Sequence, residues 1–365
     1  MMVHGDLIDD VQALSLSEPE YLLFNPIGDK AGLRAKLDDV PRYLFRISTP
    51  KSDGTTDKFW VKSKDARHGR MNSREDVLEL DDNQQVAGML NRHLRWCGET
   101  NDPDNFVSWT SSLLFALQYV FYRHTHRKDR SSLASIYLYI IDTAGFRKGT
   151  FVRDMDLIRA YRSFDKGLQD LEILRTTKHR DFAGSFYFGE YLSQGALKIE
   201  GKCQFVSAQA IIDQGLFYLQ PEFSKSIVTK EPSWSNEVIR LREAFSRKAA
   251  ELQPITDDEL EVAINIVYRF DPGWRLPIAA NLIALLPRQS EDGAILPAFT
   301  ASPFTGLAAL FLLVLNELMD KAEERQNCSP SSTKILAYAT LPEVQQFDTI
   351  MRSVHKYTSL AKMKS

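Results

Sequence analysis

The sequence predicts an α+β domain followed by an all-α segment. Three observations carry that expectation. Short runs rich in β-branched and aromatic residues, such as residues 42–48 and 134–143, recur in the first part without regular helical crossovers between them. From about Ser224 onward the apolar runs have helical spacing and are separated by Pro and Gly. The change falls near residue 225, which divides the chain into an N-terminal segment (1–40), an α+β domain (41–225) and a helical domain (226–365).

Taken in order, Pro41 introduces the alternating run RYLFRIS, a strand. Residues 53–76 are polar and predict a long loop. Residues 86–96 read as a short helix, followed by the turn-rich CGETNDPDN. Phe106, Val107 and Trp109 favour a second strand. Leu113, Leu117, Val120 and Phe121 then fall on one face of a helix, and the hydroxyls between strand and helix mark the helix start. Residues 134–143 predict another strand and 157–175 one helix. Short strands punctuated by Gly189, Gly195 and Gly201 follow over 185–207. Five helical runs complete the chain after Ser224.

The 365 residues are 44% apolar and 25% charged, with a formal charge of −3. That balance gives no broad basic surface, so nucleic acid is not an expected partner. The basic run Arg123–Arg130 reads as a solvated loop. Cys97, Cys203 and Cys328 follow no pattern, which argues for a reducing compartment. The N-terminus lacks a basic start and an apolar core, so a cytoplasmic location is expected. Residues 294–315 carry no charge, but their dense apolar part, Leu307–Leu315, is too short for a span of about 20 residues. It reads as a buried helix, and no membrane partner is expected.

Several familiar sites are missing. Residues 195–203 have the wrong glycine spacing for a phosphate loop, with Cys203 where Ser or Thr belongs. No G-x-G-x-x-G follows a strand, and no G-x-S-x-G is present. His124 and His126 lack Cys partners, so no metal is expected. Asp142 reads as a turn residue.

Three pieces of the α+β domain remain. Arg46 sits among Leu44, Phe45 and Ile47, and a guanidinium there suits an anionic partner. Ser108, Thr110, Ser111 and Ser112 supply more hydroxyls than one helix cap needs. Glu190 stands between Phe188 and Tyr191, where a carboxylate is partly desolvated and either pairs or performs chemistry.

An Arg on one strand, hydroxyls after a second and a Glu before a Gly in a late strand resemble the ADP-ribosyltransferase fold of the arginine–serine–glutamate class. The frame Phe106-Val107, Ser108, Thr110, Ser112, Leu113, Ala116 is similar to that class's Ser-Thr-Ser motif. Glu190, Gly195, Ala196 and Leu197 fit its glutamate motif. The chain also resembles an uncharacterised fungal domain family with an LFR…FVSWTSSL…EYLxxG skeleton. The resemblance covers roughly residues 41–223.

It implies a split two-sheet ADP-ribosyltransferase-like domain that binds NAD as substrate. Arg46 would grip the pyrophosphate, and Ser108 would steady the nicotinamide-ribose side. Thr110 would orient Glu190, while Trp109 and Tyr191 would stack on a flat ring. Glu190 would stabilise the oxocarbenium-like centre formed as nicotinamide leaves. Two departures matter. Trp109 replaces the central Thr, and Phe188 stands where arginine-modifying members carry a second Glu. A ring there cannot act as a base toward a guanidinium, so arginine is not the expected acceptor; a hydroxyl, thiol or base acceptor or plain NAD hydrolysis is left, with a protein as acceptor or partner. The alternative is a catalytically inactive module of the same fold that binds a protein partner. An RNA-phosphate-processing relative would want a basic groove, which the mild acidity does not supply.

Overall fold

A computed structural model describes residues 20–179, 182–183, 186–228, 234–243, 245, 255–286 and 341–364. Eleven strands lie among them: β1 (Tyr43–Ser48), β2 (Thr55–Thr56), β3 (Trp60–Lys62), β4 (Phe106–Thr110), β5 (Tyr137–Asp142), β6 (Val152–Arg153), β7 (Lys178–His179), β8 (Phe182–Ala183), β9 (Glu190–Gln194), β10 (Ala196–Lys198) and β11 (Cys203–Ser207). They form a six-stranded sheet in the order β11-β5-β1-β4-β9-β6, a three-stranded sheet β10-β3-β2 and the β7-β8 pair. The longer helices are α1 (Asn83–Arg95), α2 (Leu113–Thr125), α3 (Asp154–Tyr161), α4 (Lys166–Thr176), α5 (Trp234–Glu243), α6 (Asp257–Val267), α7 (Pro272–Ile283) and α8 (Pro342–Lys364). The chain is thus mixed α+β, as its residue patterns predict. No described helix is long and apolar enough to cross a membrane.

The six-stranded sheet is weakest in its middle. β1 and β5 pair at six positions and β4 and β9 at five, whereas β1 and β4 meet in register at Phe45↔Thr110 alone. Side chains alternate between faces along a strand and match across a pair. Ser108, Thr110 and Glu190 therefore share one face with Phe45 and Ile47. Arg46, Trp109 and Tyr191 share the other.

Three apolar clusters surround this frame. On the face of Ser108, one cluster joins Phe45 and Ile47 to Leu117 of α2, Ile266 of α6, Ile283 of α7 and Ile350 of α8. A second packs Val86 and Leu90 of α1, Ile158 of α3 and Leu168 of α4 against Phe106 and Leu192. On the opposite face, Trp109, Tyr191 and Leu44 pack with Val61 of β3 and Leu197 of β10.

Several expectations are corrected here. The boundary at residue 225 does not divide the core, because the first cluster runs from β1 to Val354 without a break between sheet and helices. Residues 20–40 are no separate segment either. Leu22 bridges Gln194, and the Phe24 N–H donates to the Gly149 carbonyl at 2.7 Å. The loop 53–76 contains β2 and β3, which pair with each other; β3 also pairs with distant β10, and strands of two and three residues leave no local periodicity to read. The helix expected over 157–175 is two, α3 and α4, because Asp165 caps a new start by accepting from the Leu168 N–H. In the helical part, α6 opens with a full capping box of Thr256 and Glu259. The apolar stretch 294–315 and Cys328 lie outside the described residues.

Candidate functional site

The site begins with the β4–β9 register, which sets Thr110 opposite Glu190 and Ser108 opposite Leu192. Ser108 Oγ lies diagonally across from the carboxylate and donates to Glu190 Oε1 at 2.7 Å. The same oxygen is 2.8 Å from His93 Nε2, and His93 Nδ1 is 2.8 Å from Asp104 Oδ2. Asp104 is fixed in turn, its Oδ1 accepting from the Phe106 N–H at 3.0 Å. His93 arrives on α1, four residues after buried Met89 and three after buried Leu90, so it continues that helix's inner face.

On the far side, Arg175 of α4 donates to Glu190 Oε2 at 2.8 Å and also faces the Asp154 carboxylate. Asp154 is fully buried, whereas the Glu190 side chain is 14% exposed. One guanidinium between two carboxylates leaves one net negative charge. Glu190 is the end of that trio which opens toward solvent.

Arg46 closes the group from the other face of the sheet. Its Nη1 donates to the Ser108 carbonyl at 2.9 Å and its Nε to Thr56 Oγ1 at 3.1 Å. The guanidinium thereby bridges the place where β1 and β4 part. Both partners are neutral, and burial lowers the Arg46 pKa to about 10. At neutral pH it is a half-buried cation that makes no salt bridge among the described residues, a state that an anion beside it would relieve. Arg46, Ser108 and Glu190 are thus linked by two hydrogen bonds, and all three line one cavity of about 940 Å³. That size is near the top of the range of roughly 300–1,000 Å³ typical of cofactor and small-molecule sites.

The remaining hydroxyls hold the approach to Glu190. Thr110 Oγ1 donates to the Phe188 carbonyl at 2.6 Å and accepts from the Ser112 N–H. The Ser111 N–H donates to the Gly189 carbonyl at 2.9 Å. Ser112 Oγ caps α2 by accepting from Phe115, and it donates to Glu343 of α8 at 2.5 Å. Arg242 of α5 grips the same Glu343 and donates to the Tyr187 carbonyl. The segment 187–189 is therefore held from two sides. Gly189 has φ +69°, and a Cβ there would stand 2.2 Å from Ser111 Oγ.

Three expected roles are corrected by these contacts. The Thr110 hydroxyl is directed to the Phe188 carbonyl and not to the Glu190 carboxylate, so it orients the backbone two residues earlier. Trp109 is 1% exposed, with its indole N–H donating to Ser193 Oγ, and Tyr191 is 0% exposed, with its hydroxyl donating to Asp39. Both rings belong to the core rather than to a face open for stacking. Phe188 is also buried, stacked on Phe115 with ring centres 5.2 Å apart and lying under Arg242. Partly buried rings do line the cavity, but they are Phe115, Tyr119, Tyr122, Phe186 and Trp234, together with exposed Trp96.

His93, Asp104 and Arg175 escaped the sequence reading. His93 carried a signal, since a titratable group at spacing three and four from Leu90 and Met89 sits on an apolar helix face. Asp104 lay in a run of turn residues and Arg175 at a helix end, and neither position distinguishes them. Asp142 is a turn residue as expected, accepting from the Ala144 N–H and pairing with Arg42 at 2.8 Å. His124 Nδ1 lies 2.9 Å from the Ser131 carbonyl. Among the described residues no His, Cys, Asp and Glu group is arranged to hold a metal ion.

Residues 39–196 match a domain family of unknown function (DUF7587). That stretch contains Arg46, His93, Asp104, Ser108, Asp154, Arg175 and Glu190, while Trp234, Arg242, Glu343 and the helices α5 to α8 that carry them lie beyond it. No curated protein and no solved structure matches the chain.

Proposed function

We propose that the chain cleaves the nicotinamide–ribose bond of NAD and transfers the ADP-ribosyl group to an acceptor other than arginine. The observation that carries this reading is the Arg46–Ser108–Glu190 link, whose three residues line one cavity and follow one another in the chain order of the motifs that carry the resemblance. The parting of β1 from β4 and the separate β10-β3-β2 sheet support the finer, split-sheet description of that fold.

Each residue's task follows from its surroundings. Arg46, a cation without a charged partner, binds the pyrophosphate by charge-assisted hydrogen bonds. Glu190 keeps net negative charge at the cavity despite Arg175, because Asp154 shares that guanidinium. Its carboxylate stabilises positive charge growing at the ribose C1′ as the C–N bond breaks and nicotinamide departs with the bonding pair. Ser108 fixes Oε1, so Glu190 need not reorganise as charge develops. A hydroxyl or thiol of a protein acceptor, or water, then bonds to C1′ and loses its proton. Buried Phe188 offers no base toward a guanidinium.

The test is incubation of the full chain with NAD labelled in the adenylate half, with and without a cell lysate. Nicotinamide release by the wild type, lost in Glu190→Gln, is the expected result. Label on protein identifies a transferase, and label only on free ADP-ribose a glycohydrolase. No release and no NAD binding at millimolar concentration overturns the proposal in favour of a non-catalytic module.

A further inference from the structure

We infer that His93 is a positioning residue which, as an imidazolium held by Asp104, compels the Ser108 hydroxyl to point its single proton at Glu190. The inference rests on the reading of Glu190 given above and adds two residues and a pH response to it.

The Ser108 hydroxyl has one hydrogen and stands between two partners, Glu190 Oε1 at 2.7 Å and His93 Nε2 at 2.8 Å. A carboxylate only accepts. If Ser108 donates to Glu190, it must accept from His93, so Nε2 carries a proton. His93 Nδ1 faces the Asp104 carboxylate at 2.8 Å, which also only accepts, so Nδ1 carries a proton as well. Both contacts are satisfied together only by the charged ring. A neutral ring with its proton toward Asp104 presents a lone pair to Ser108. The hydroxyl then turns to Nε2, and Glu190 loses its donor.

The surroundings favour the charged ring. Burial works against it, and Arg46 repels it weakly, but Asp104 and, through Ser108, Glu190 attract it; the balance raises the His93 pKa. Every neighbouring element contributes a defined group. Asp104 comes from the chain before β4, Glu190 from β9, Arg46 from β1 and Arg175 from α4 beyond Glu190. Arg92 on the same helix is turned to Asp102 at 3.5 Å. The Phe106 ring packs 5.6 Å from the imidazole. With Asp104 and His93 opposite in charge, the pair adds no net charge to the site.

The consequence is a switch on the alkaline side. Below the His93 pKa, Ser108 is a fixed donor to Glu190; above it, the donor is released and bond cleavage slows. Asp104 sets where that happens.

The experiment reads the coupling first without NAD, in the full chain with nitrogen-15 histidine and carbon-13 glutamate. The expected result is that both His93 ring nitrogens are protonated at pH 7, with a midpoint above the ordinary value of about 6.5. The Glu190 carboxylate carbon should show an inflection at that same midpoint, and Ser108→Ala should abolish the inflection without removing the His93 titration. Asp104→Asn should move the midpoint down by a pH unit or more. The second reading is the pH profile of nicotinamide release. Its alkaline limb should follow the His93 midpoint, shift with Asp104→Asn and flatten in His93→Gln, whose amide donates to Ser108 but does not titrate. A His93 unprotonated at Nε2 at pH 7, or a Glu190 resonance blind to its midpoint, overturns the inference whatever NAD does. Coupling without any NAD cleavage would overturn the proposed reaction and leave the inference standing.

Discussion

Ser108 Oγ and Glu190 Oε1 stand 2.7 Å apart although 82 residues separate them along the chain. The contact exists because β4 and β9 are antiparallel neighbours with Thr110 facing Glu190. The other hydroxyl-bearing residues of the strand-to-helix junction have separate tasks. Ser108 serves the carboxylate, Thr110 and the Ser111 backbone hold the two residues before it, and Ser112 caps α2 while fastening α8. A single cap residue would have met only the last need but one.

Arg46→Met should separate binding from folding. The substitution removes a half-buried cation whose hydrogen-bond partners among the described residues are a carbonyl and a hydroxyl, and which lies 6.0 Å from the centre of the Trp109 ring. Loss of a charge-assisted contact to pyrophosphate should weaken NAD binding by roughly 10- to 100-fold, in line with about 1.5–3 kcal/mol for a hydrogen bond to a charged group. The melting temperature should hold or rise, because the uncompensated charge is costly in the free protein. Calorimetry with NAD alongside thermal melts checks both halves, and an unchanged affinity would remove Arg46 from the site.

Gly189→Ala should damage stability and site together. The residue has φ +69°, and an added Cβ would lie 2.2 Å from Ser111 Oγ and 2.9 Å from Leu341 Cδ1. The left-handed conformation alone costs a non-glycine residue about 1–2 kcal/mol. Relief of the clash must shift the chain next to Glu190. Urea unfolding should show the lower midpoint, and nicotinamide release should fall well beyond what the fraction unfolded accounts for.

How much of this was legible in the sequence depends on whether a signal was local. β1, β4, β5 and the helix α2 follow from alternation, spacing and a hydroxyl cap, all contained within a few residues. β2 and β3 did not, because two- and three-residue strands are too short to show alternation, and the second partner of β3, β10, is distant along the chain. The site was legible where residue type was incongruous: Arg46 among apolar neighbours, Glu190 between rings. Trp109 and Tyr191 misled because an aromatic beside a catalytic motif looks like a stacking surface, whereas strand alternation turns both to the opposite face. The shared core of sheet and helices was invisible, since a composition change near residue 225 marks a change of element type and not of packing.

The acceptor prediction rests on Phe188. Its ring is stacked on Phe115, beneath Arg242 and beside Trp234, so no carboxylate or amide stands two residues before Glu190. Agmatine, a free guanidine acceptor, should therefore neither accelerate nicotinamide release nor acquire the ADP-ribosyl group. Detection of ADP-ribosyl-agmatine by mass spectrometry would contradict the role given to this position.

Stability should depend on pH through His93, and the sign is fixed. Its folded pKa is raised by Asp104 against the opposing effect of burial. Protonation therefore stabilises the fold fully below the unfolded value of about 6.5, and that contribution disappears as pH climbs through the higher folded value. Urea midpoints of the wild type should decline across this window more steeply than those of His93→Gln. Parallel slopes would show that the ring is not held as a cation.

The last prediction concerns the helices beyond the family match. Arg242 and Glu343 form an ion pair at 2.7 Å with side chains only 5% and 4% exposed, and the pair also reaches Ser112 and the Tyr187 carbonyl. Removing one member strands a buried charge, which costs about 3–5 kcal/mol, whereas replacing both with apolar groups is often neutral. Glu343→Leu should therefore lower the urea midpoint severely, and Arg242→Met with Glu343→Leu should recover most of it. Because one apolar cluster spans β1, α2, α6, α7 and α8, the loss should appear in a single unfolding transition followed equally by probes at Trp109 and Trp274. Two separable transitions, or a Glu343→Leu variant as stable as the wild type, would mean that the helices are an appendage. A single severe loss would mean that they are part of the wall that holds residues 187–190 in place.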